Sequence, residues 1–395
     1  MLRGRTDFPI IDECPQFGGK DSTVNRQQRT LAANLGLATI LTLGLANETH
    51  GQQDTFAMSG TNLVVMGDFG FERYAAKFRE FAQRGVRAVR LQMIDLSVQD
   101  NNLRNAYYFS QWDPTIPGNE KAYFDAFFHH TGPTWVGLGD QINVIKSDIL
   151  PALRSLGRER RGMKLILDLH TAPGVYSAKN GAGDPRMLDD PLKKSAYANM
   201  FVKCWKEISF AFKSEREIMA FDLQNEPPTI DGHYTARIQK TIDTIRQQGA
   251  NQTIVIEAKG DARTIRQLRP FRDRLHDLVY SVHLYRPAED FTHWGGQGTR
   301  PVFSPRVRNA VNDSLQVVAD WQARYRERVW IGEYGASAYL GDDAAKYVAH
   351  ANSIFKRQGW GASYIGDSFP SDAPSFIWDM TPPVAKELQR FWATR

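Results

Sequence analysis

From Thr61 onward the sequence alternates two kinds of segment without a break, and this alternation constrains the fold more than any single motif. Short apolar, often β-branched runs predict strands at 61–67, 86–93, 163–170, 218–223, 253–258, 278–285, 329–334 and 361–366. The segments between them carry apolar residues at helical spacing. FERYAAKFREFAQRG is the clearest, with Phe71, Tyr74, Ala75, Phe78, Phe81 and Ala82 on one face and Gly85 as its stop. Further helices are expected over 142–156, 190–213, 233–248, 261–275, 306–327 and 342–357, with a closing helix from Val384. Strands that alternate with helices build parallel sheets, because each crossover returns the chain to the same end of the sheet. Eight such units with no Ser-, Pro- or Gly-rich linker predict an α/β protein, one closed (β/α)8 TIM barrel over residues 55–395.

Two stretches depart from that rhythm. The connection after the second strand, about Ile94 to Gln141, is too long for a plain barrel loop. It holds Tyr107, Tyr108, Phe109, Trp112, Tyr123, Phe124, Phe127, Phe128 and Trp135. Such rings can stack on sugar faces, but a long loop also needs a small core of its own, the expected role for any one of them. The other stretch is an N-terminal segment, residues 1–51, with an uncharged apolar core at 31–46 that follows Arg26 and Arg29. That core falls short of the roughly 20 residues of a spanning helix and suits an export signal, with Gly44 and Ala46 as small residues before Asn47. A secreted or periplasmic protein is expected, with an uncleaved membrane anchor or an ordinary core helix as alternatives.

Composition narrows the partners. Apolar residues at 42% and charged residues at 24% suit a soluble globular protein. A net charge of +5, with Lys and Arg interleaved among Asp and Glu, argues for solvated helix faces and against a nucleic-acid partner. Cys14 and Cys204 stand alone, without metal-ligand spacing to His, so neither a disulfide framework nor a zinc site is expected. No cofactor and no metal are anticipated, and the protein is expected to be a monomer.

The chemistry-bearing residues gather at predicted strand ends. In FDLQNEPPT, Pro227 and Pro228 end the strand and leave Glu226 at its C-terminal tip. In VWIGEYGAS an apolar run leads to Glu333 in the same position. Barrel enzymes keep their catalytic groups at this end, and two carboxyls there suit glycoside hydrolysis, in which one protonates the leaving oxygen and the other attacks the sugar or activates water. Arg90 at the second tip and Tyr285 at the sixth could hold one of them ionised, and His170 and His283 occupy tips of the same face.

Asn225-Glu226-Pro227, with LILDLH, SVHLY and IGEYG in this order, resembles glycoside hydrolase family 5, the cellulase family of retaining barrel enzymes. The resemblance runs from about Thr61 to Arg395. It implies Glu226 as acid/base and Glu333 as nucleophile, with Arg90 and Tyr285 supporting Glu333, Asn225 binding the sugar 2-hydroxyl, and His170 and His283 lining that subsite. The implied activity is an endo-β-1,4-glucanase acting on a β-linked polysaccharide or oligosaccharide, with β-1,3-glucan and mannan as alternatives on the same scaffold. A catalytically silent carbohydrate-binding barrel is the competing class. A metal-dependent lyase is disfavoured, because it would need three or more tip carboxylates where only two are read. One position departs from the family: GASYIGDSF places Ile365 where a Trp platform is usual. Trp378, on the connection that follows, is proposed to supply the stacking face, although it could equally pack that connection against the last helix.

Overall fold

The computed structural model describes residues 59–66, 69–93, 124–125, 128, 137–160, 162–173, 194–286, 288–366 and 380–393. The apolar run 31–46, most of the aromatic connection and Trp378 lie outside them. Eight parallel strands form a closed barrel in sequence order: β1 (Gly60–Val64), β2 (Ala88–Met93), β3 (Lys164–Leu169), β4 (Ile218–Asp222), β5 (Thr253–Glu257), β6 (Leu278–Leu284), β7 (Arg328–Tyr334) and β8 (Gly361–Tyr364). Closure comes from β1 against β8, with Gly60 opposite Ser363 and Thr61 opposite Tyr364. At Gly60 a Cβ would fall 1.7 Å from the Ala88 carbonyl oxygen, so only glycine lets β1 lie this close to β2.

The helices Gly70–Arg84, Lys194–Phe212, Gly232–Gln247, Pro305–Tyr325, Asp342–Gln358 and Pro382–Trp392 cover the barrel, close to the expected spans. Two spans differ from the expectation. The helix expected at 142–156 begins earlier, at Leu138, and carries a π-helical turn at Ile145–Ile149. Instead of a helix at 261–275 there is a short 3₁₀ turn, Ala262–Gln267, after which Leu268 is extended. Pro270 accounts for this, because its ring and missing N–H exclude it from a helix interior and bias the residue before it to extended backbone.

Side chains along a strand alternate between the helix layer and the barrel interior. Ala88, Ile166, Ala220, Val255, Val279 and Trp330 fill the interior as one apolar layer. Two residues further along the same strands stand Arg90, Asp168, Asp222, Glu257, Ser281 and Gly332. The polar layer is therefore the next interior step of the same alternation, one level nearer the C-terminal mouth.

Candidate active site

Arg90 is the centre of that layer. It is not at a strand tip, as the sequence suggests, but within β2 and fully buried. Its guanidinium donates from Nε to Asp222 Oδ2 at 2.8 Å, from Nη1 to Glu333 Oε1 at 2.6 Å and from Nη2 to Glu257 Oε1 at 2.8 Å. Nη2 also lies 3.0 Å from Asp168 Oδ2 and 3.0 Å from Asn225 Oδ1. Asp168, Asp222 and Glu257 are acids that the sequence reading missed. They sat inside apolar strand runs, and only their offset of two residues from the apolar layer could have flagged them as interior.

Glu333 enters the barrel through an irregularity. Strict alternation from the interior Trp330 would turn Gly332 and Tyr334 inward and Glu333 outward. The β6–β7 pairing shifts register, Val282 opposite Ile331 but His283 opposite Glu333, and the β7–β8 pairing shifts over the same residues. The extra residue is Gly332, where a Cβ would stand 2.3 Å from Ser281 Oγ and 3.1 Å from His283 Nε2. This bulge rotates Glu333 into the site and returns Tyr334 to the outer core, against Phe355 and Tyr364.

Glu333 Oε2 accepts from the Tyr285 hydroxyl at 3.0 Å. Burial pushes its carboxyl up, but His283, Arg90 and His170 outweigh burial and hold it below the usual carboxylate range. The buried Tyr285 hydroxyl is pushed well up, by burial and then by Glu333 and Glu226, so it remains a donor. Glu226 sits past the end of β4 in the left-handed region, with φ 39°, and its side chain is 39% exposed. His283 bridges the two halves: Nδ1 lies 2.8 Å from Glu226 Oε1 and Nε2 lies 3.1 Å from Glu257 Oε1. Burial would lower His283, yet Glu257, Glu333 and its two hydrogen bonds raise it well above the ordinary histidine value.

Below them the acids divide. Burial and the neighbouring Glu257 push Asp222 well up against the pull of Arg90. Glu257 is also pushed up by burial, but His283, Arg90 and the Glu226 backbone N–H bring it down to about 2. Asp168 is raised, chiefly by burial, and its Oδ2 is 2.8 Å from His170 Nδ1.

The structure therefore brings Arg90, His170, Asn225, Glu226, His283, Tyr285 and Glu333 to one mouth of the barrel. Ile365 follows β8, buried, with its N–H bonded to the Tyr334 carbonyl. His293, also missed in the sequence, stacks edge-on against Tyr285 at 4.9 Å. The next residue, Trp294, meets the exposed Tyr339 ring edge-on at 6.4 Å, which gives this face an aromatic surface. Glu226, His283 and Glu333 present ligand atoms within 4.8 Å of one another, a spacing that a cation could bridge. The positive charge of Arg90 beside Glu333 opposes one, and the arrangement suits acid–base and nucleophilic chemistry better.

The sequence model of the cellulase family, glycosyl hydrolase family 5, matches residues 138–365. "Endoglucanase 3" of Fibrobacter succinogenes is 31% identical over 148 residues, which cover 35% of this chain and 20% of that protein, so the match spans about a fifth of the relative's length. A hyperthermophilic endo-β-1,4-glucanase solved with substrate has a TM-score of 0.58 at 16% identity, covering 84% of this chain and 96% of its own. Cel5A of Thermotoga maritima, solved with mannotriose, has a TM-score of 0.56 at 15% identity over 86% of this chain and 98% of its own. At these identities the two structures show the shared barrel.

Proposed function

Because the chain belongs to glycosyl hydrolase family 5, we propose that it is a retaining β-glycosidase, an endo-β-1,4-glucanase that works by double displacement. The observation that carries this reading is a pair of glutamates with opposite surroundings. Glu226 and Glu333 offer carboxylate oxygens within 4.8 Å of each other, close enough for both to act on one anomeric centre, as double displacement requires. Glu333 is buried and held ionised by cations, whereas Glu226 is open to solvent.

In the first half-reaction Glu333 attacks the anomeric carbon as the bond to the leaving oxygen breaks, and Glu226 gives that oxygen its proton. In the second, Glu226 takes a proton from water, the water oxygen bonds to the anomeric carbon, and the bond to Glu333 breaks. Arg90 and Tyr285 restrain Glu333 in the geometry of attack. Asn225 has its oxygen tied to Arg90 and offers its amide N–H groups to a sugar hydroxyl. The Trp294–Tyr339 surface lies on the loops after β6 and β7, at the mouth where a glycan would run, and apolar sugar faces stack on such rings.

Proton NMR of early hydrolysis tests the reading, with the β anomer expected to appear first on cello-oligosaccharides. Initial release of the α anomer would overturn it. The same assay on manno-oligosaccharides decides between glucan and mannan. Export remains part of the proposal, and the mass of the protein isolated from its host's medium or periplasm would reveal cleavage near Asn47.

A further inference from the structure

Neither glutamate explains why the barrel buries a third one. Glu257 ends β5, is fully buried and reaches no substrate-facing surface. Burying a carboxylate costs several kcal/mol unless donors surround it. Its donors are specific. Oε1 takes Arg90 Nη2 at 2.8 Å and His283 Nε2 at 3.1 Å, and Oε2 takes the backbone N–H of Glu226 at 2.7 Å. Two of the three therefore belong to Glu226 or to the ring that touches its side chain.

We propose that Glu257 is a positioning residue for the acid/base step, with β5 aiming both the Glu226 carboxyl and its histidine partner. The proposal rests on the double-displacement reading. Two constraints meet at Glu226. Its left-handed backbone, φ 39°, is unfavourable for a residue with a Cβ, and the bond from its N–H to Glu257 pins that conformation. Because Glu257 accepts the Nε2 proton of His283, Nδ1 must face Glu226 Oε1, and one proton can be shared along that line without leaving it. His283 gains and loses no net proton over the cycle. It keeps Glu226 aimed while that residue gives a proton to the leaving oxygen and recovers one from water.

The loop after β5 closes the bracket from the other side. A Cβ on Gly260 would stand 2.8 Å from Glu226 Cδ and 2.9 Å from each of its carboxylate oxygens. The backbone of Gly260 is thus the floor on which the Glu226 carboxyl rests. The groups that bear on His283 are Glu226 after β4, Glu257 on β5, Tyr285 after β6 and Glu333 on β7, with Arg90 on β2 behind Glu257. Removing the charge of Glu257 leaves the imidazolium with less compensation, so the shared proton is released at lower pH.

The test compares Glu257→Gln and Gly260→Ala with the wild type on cello-oligosaccharides and on a dinitrophenyl cellobioside, whose leaving group needs little protonation. Both variants should lose about 100-fold or more in kcat/KM on the oligosaccharide, with KM changed little. Both should lose under about tenfold in the burst of dinitrophenol. In Glu257→Gln the basic limb of the pH profile should also move to lower pH. Equal losses on the two substrates with an unshifted profile would make Glu257 merely structural and overturn the proposal. If Glu257→Gln does not fold, Glu257→Asp takes its place, keeping the charge while withdrawing the carboxylate from the Glu226 N–H and His283, and the difference in loss between the two substrates decides. Failure of the double-displacement reading would show separately, as the wrong product anomer from the wild type.

Discussion

Two buried arginines, Arg90 and Arg246, are used in opposite ways. Arg246 clamps one carboxylate with its fork, Nε to Asp273 Oδ1 at 2.9 Å and Nη2 to Oδ2 at 2.8 Å, while Nη1 takes the carbonyls of Ala250 and Gln252. One positive charge meets one negative charge. Arg90 spreads over Asp168, Asp222, Glu257 and Glu333, and one oxygen of each aspartate has no hydrogen-bond partner among the described residues. A balanced bidentate pair is what a fold needs from an ion pair. An excess of acids around one cation pushes the titration of neighbouring carboxyls in opposite directions, which is what acid–base chemistry needs.

The largest effect should come where Arg90 meets substrate chemistry. Glu333→Ala should remove roughly 10⁴-fold or more of kcat/KM, over about 5 kcal/mol of transition-state stabilisation, on polymer and aryl glycosides alike. Near wild-type turnover would sink the nucleophile assignment. Glu226→Ala should spare the first step on substrates with good leaving groups, and added azide should speed release of the glycosyl group from the enzyme. Loss of the fast first step on those substrates would count against Glu226 as the acid.

On the Arg246 side the expected loss is in stability. Arg246→Ala should cost about 3 kcal/mol by leaving the buried Asp273 carboxylate without its cation, held only by the backbone N–H groups of Leu275 and Asp277, read from urea midpoints, with kcat/KM per folded molecule unchanged. Burial pushes Asp273 up, but its Arg246 and backbone hydrogen bonds outweigh burial and depress it. A depressed carboxyl adds stability above the unfolded value, about 3.9, and that stability is lost as pH falls through the folded value. The acid-side decline in Tm should therefore be shallower in the variant.

The smallest effect sharpens the contrast. Asp222 is raised, so its contribution has the opposite sign, complete below pH of about 3.9 and lost as pH rises through its folded value. Asp222→Asn mimics the protonated acid and keeps an oxygen for Arg90 Nε. Its Tm at neutral pH should hold or rise, whereas Asp273→Asn should lower it. A fall of similar size in both variants would erase the distinction between the two arginines.

What could be read without coordinates has a common character. The eight strands, most of the helices and the direction of every strand follow from local periodicity, because a segment's own apolar spacing states which structure can bury it. Glu226 and Glu333 were legible because prolines or glycine and aromatic residues mark the ends of their strands. The apolar spacing over 261–275 predicts a helix, but Pro270 limits the segment to a short turn. Which side chains enter the barrel is a different kind of information. It depends on how neighbouring strands pair, and one extra residue reverses the facing of all that follow. The bulge at Gly332 turns Glu333 inward, and the interior step after the apolar layer makes Asp168, Asp222 and Glu257 one cluster around Arg90. Sequence determined the barrel and the two glutamates. Tertiary structure decided their partners, because register and stagger are properties of strands in contact and no single strand carries them.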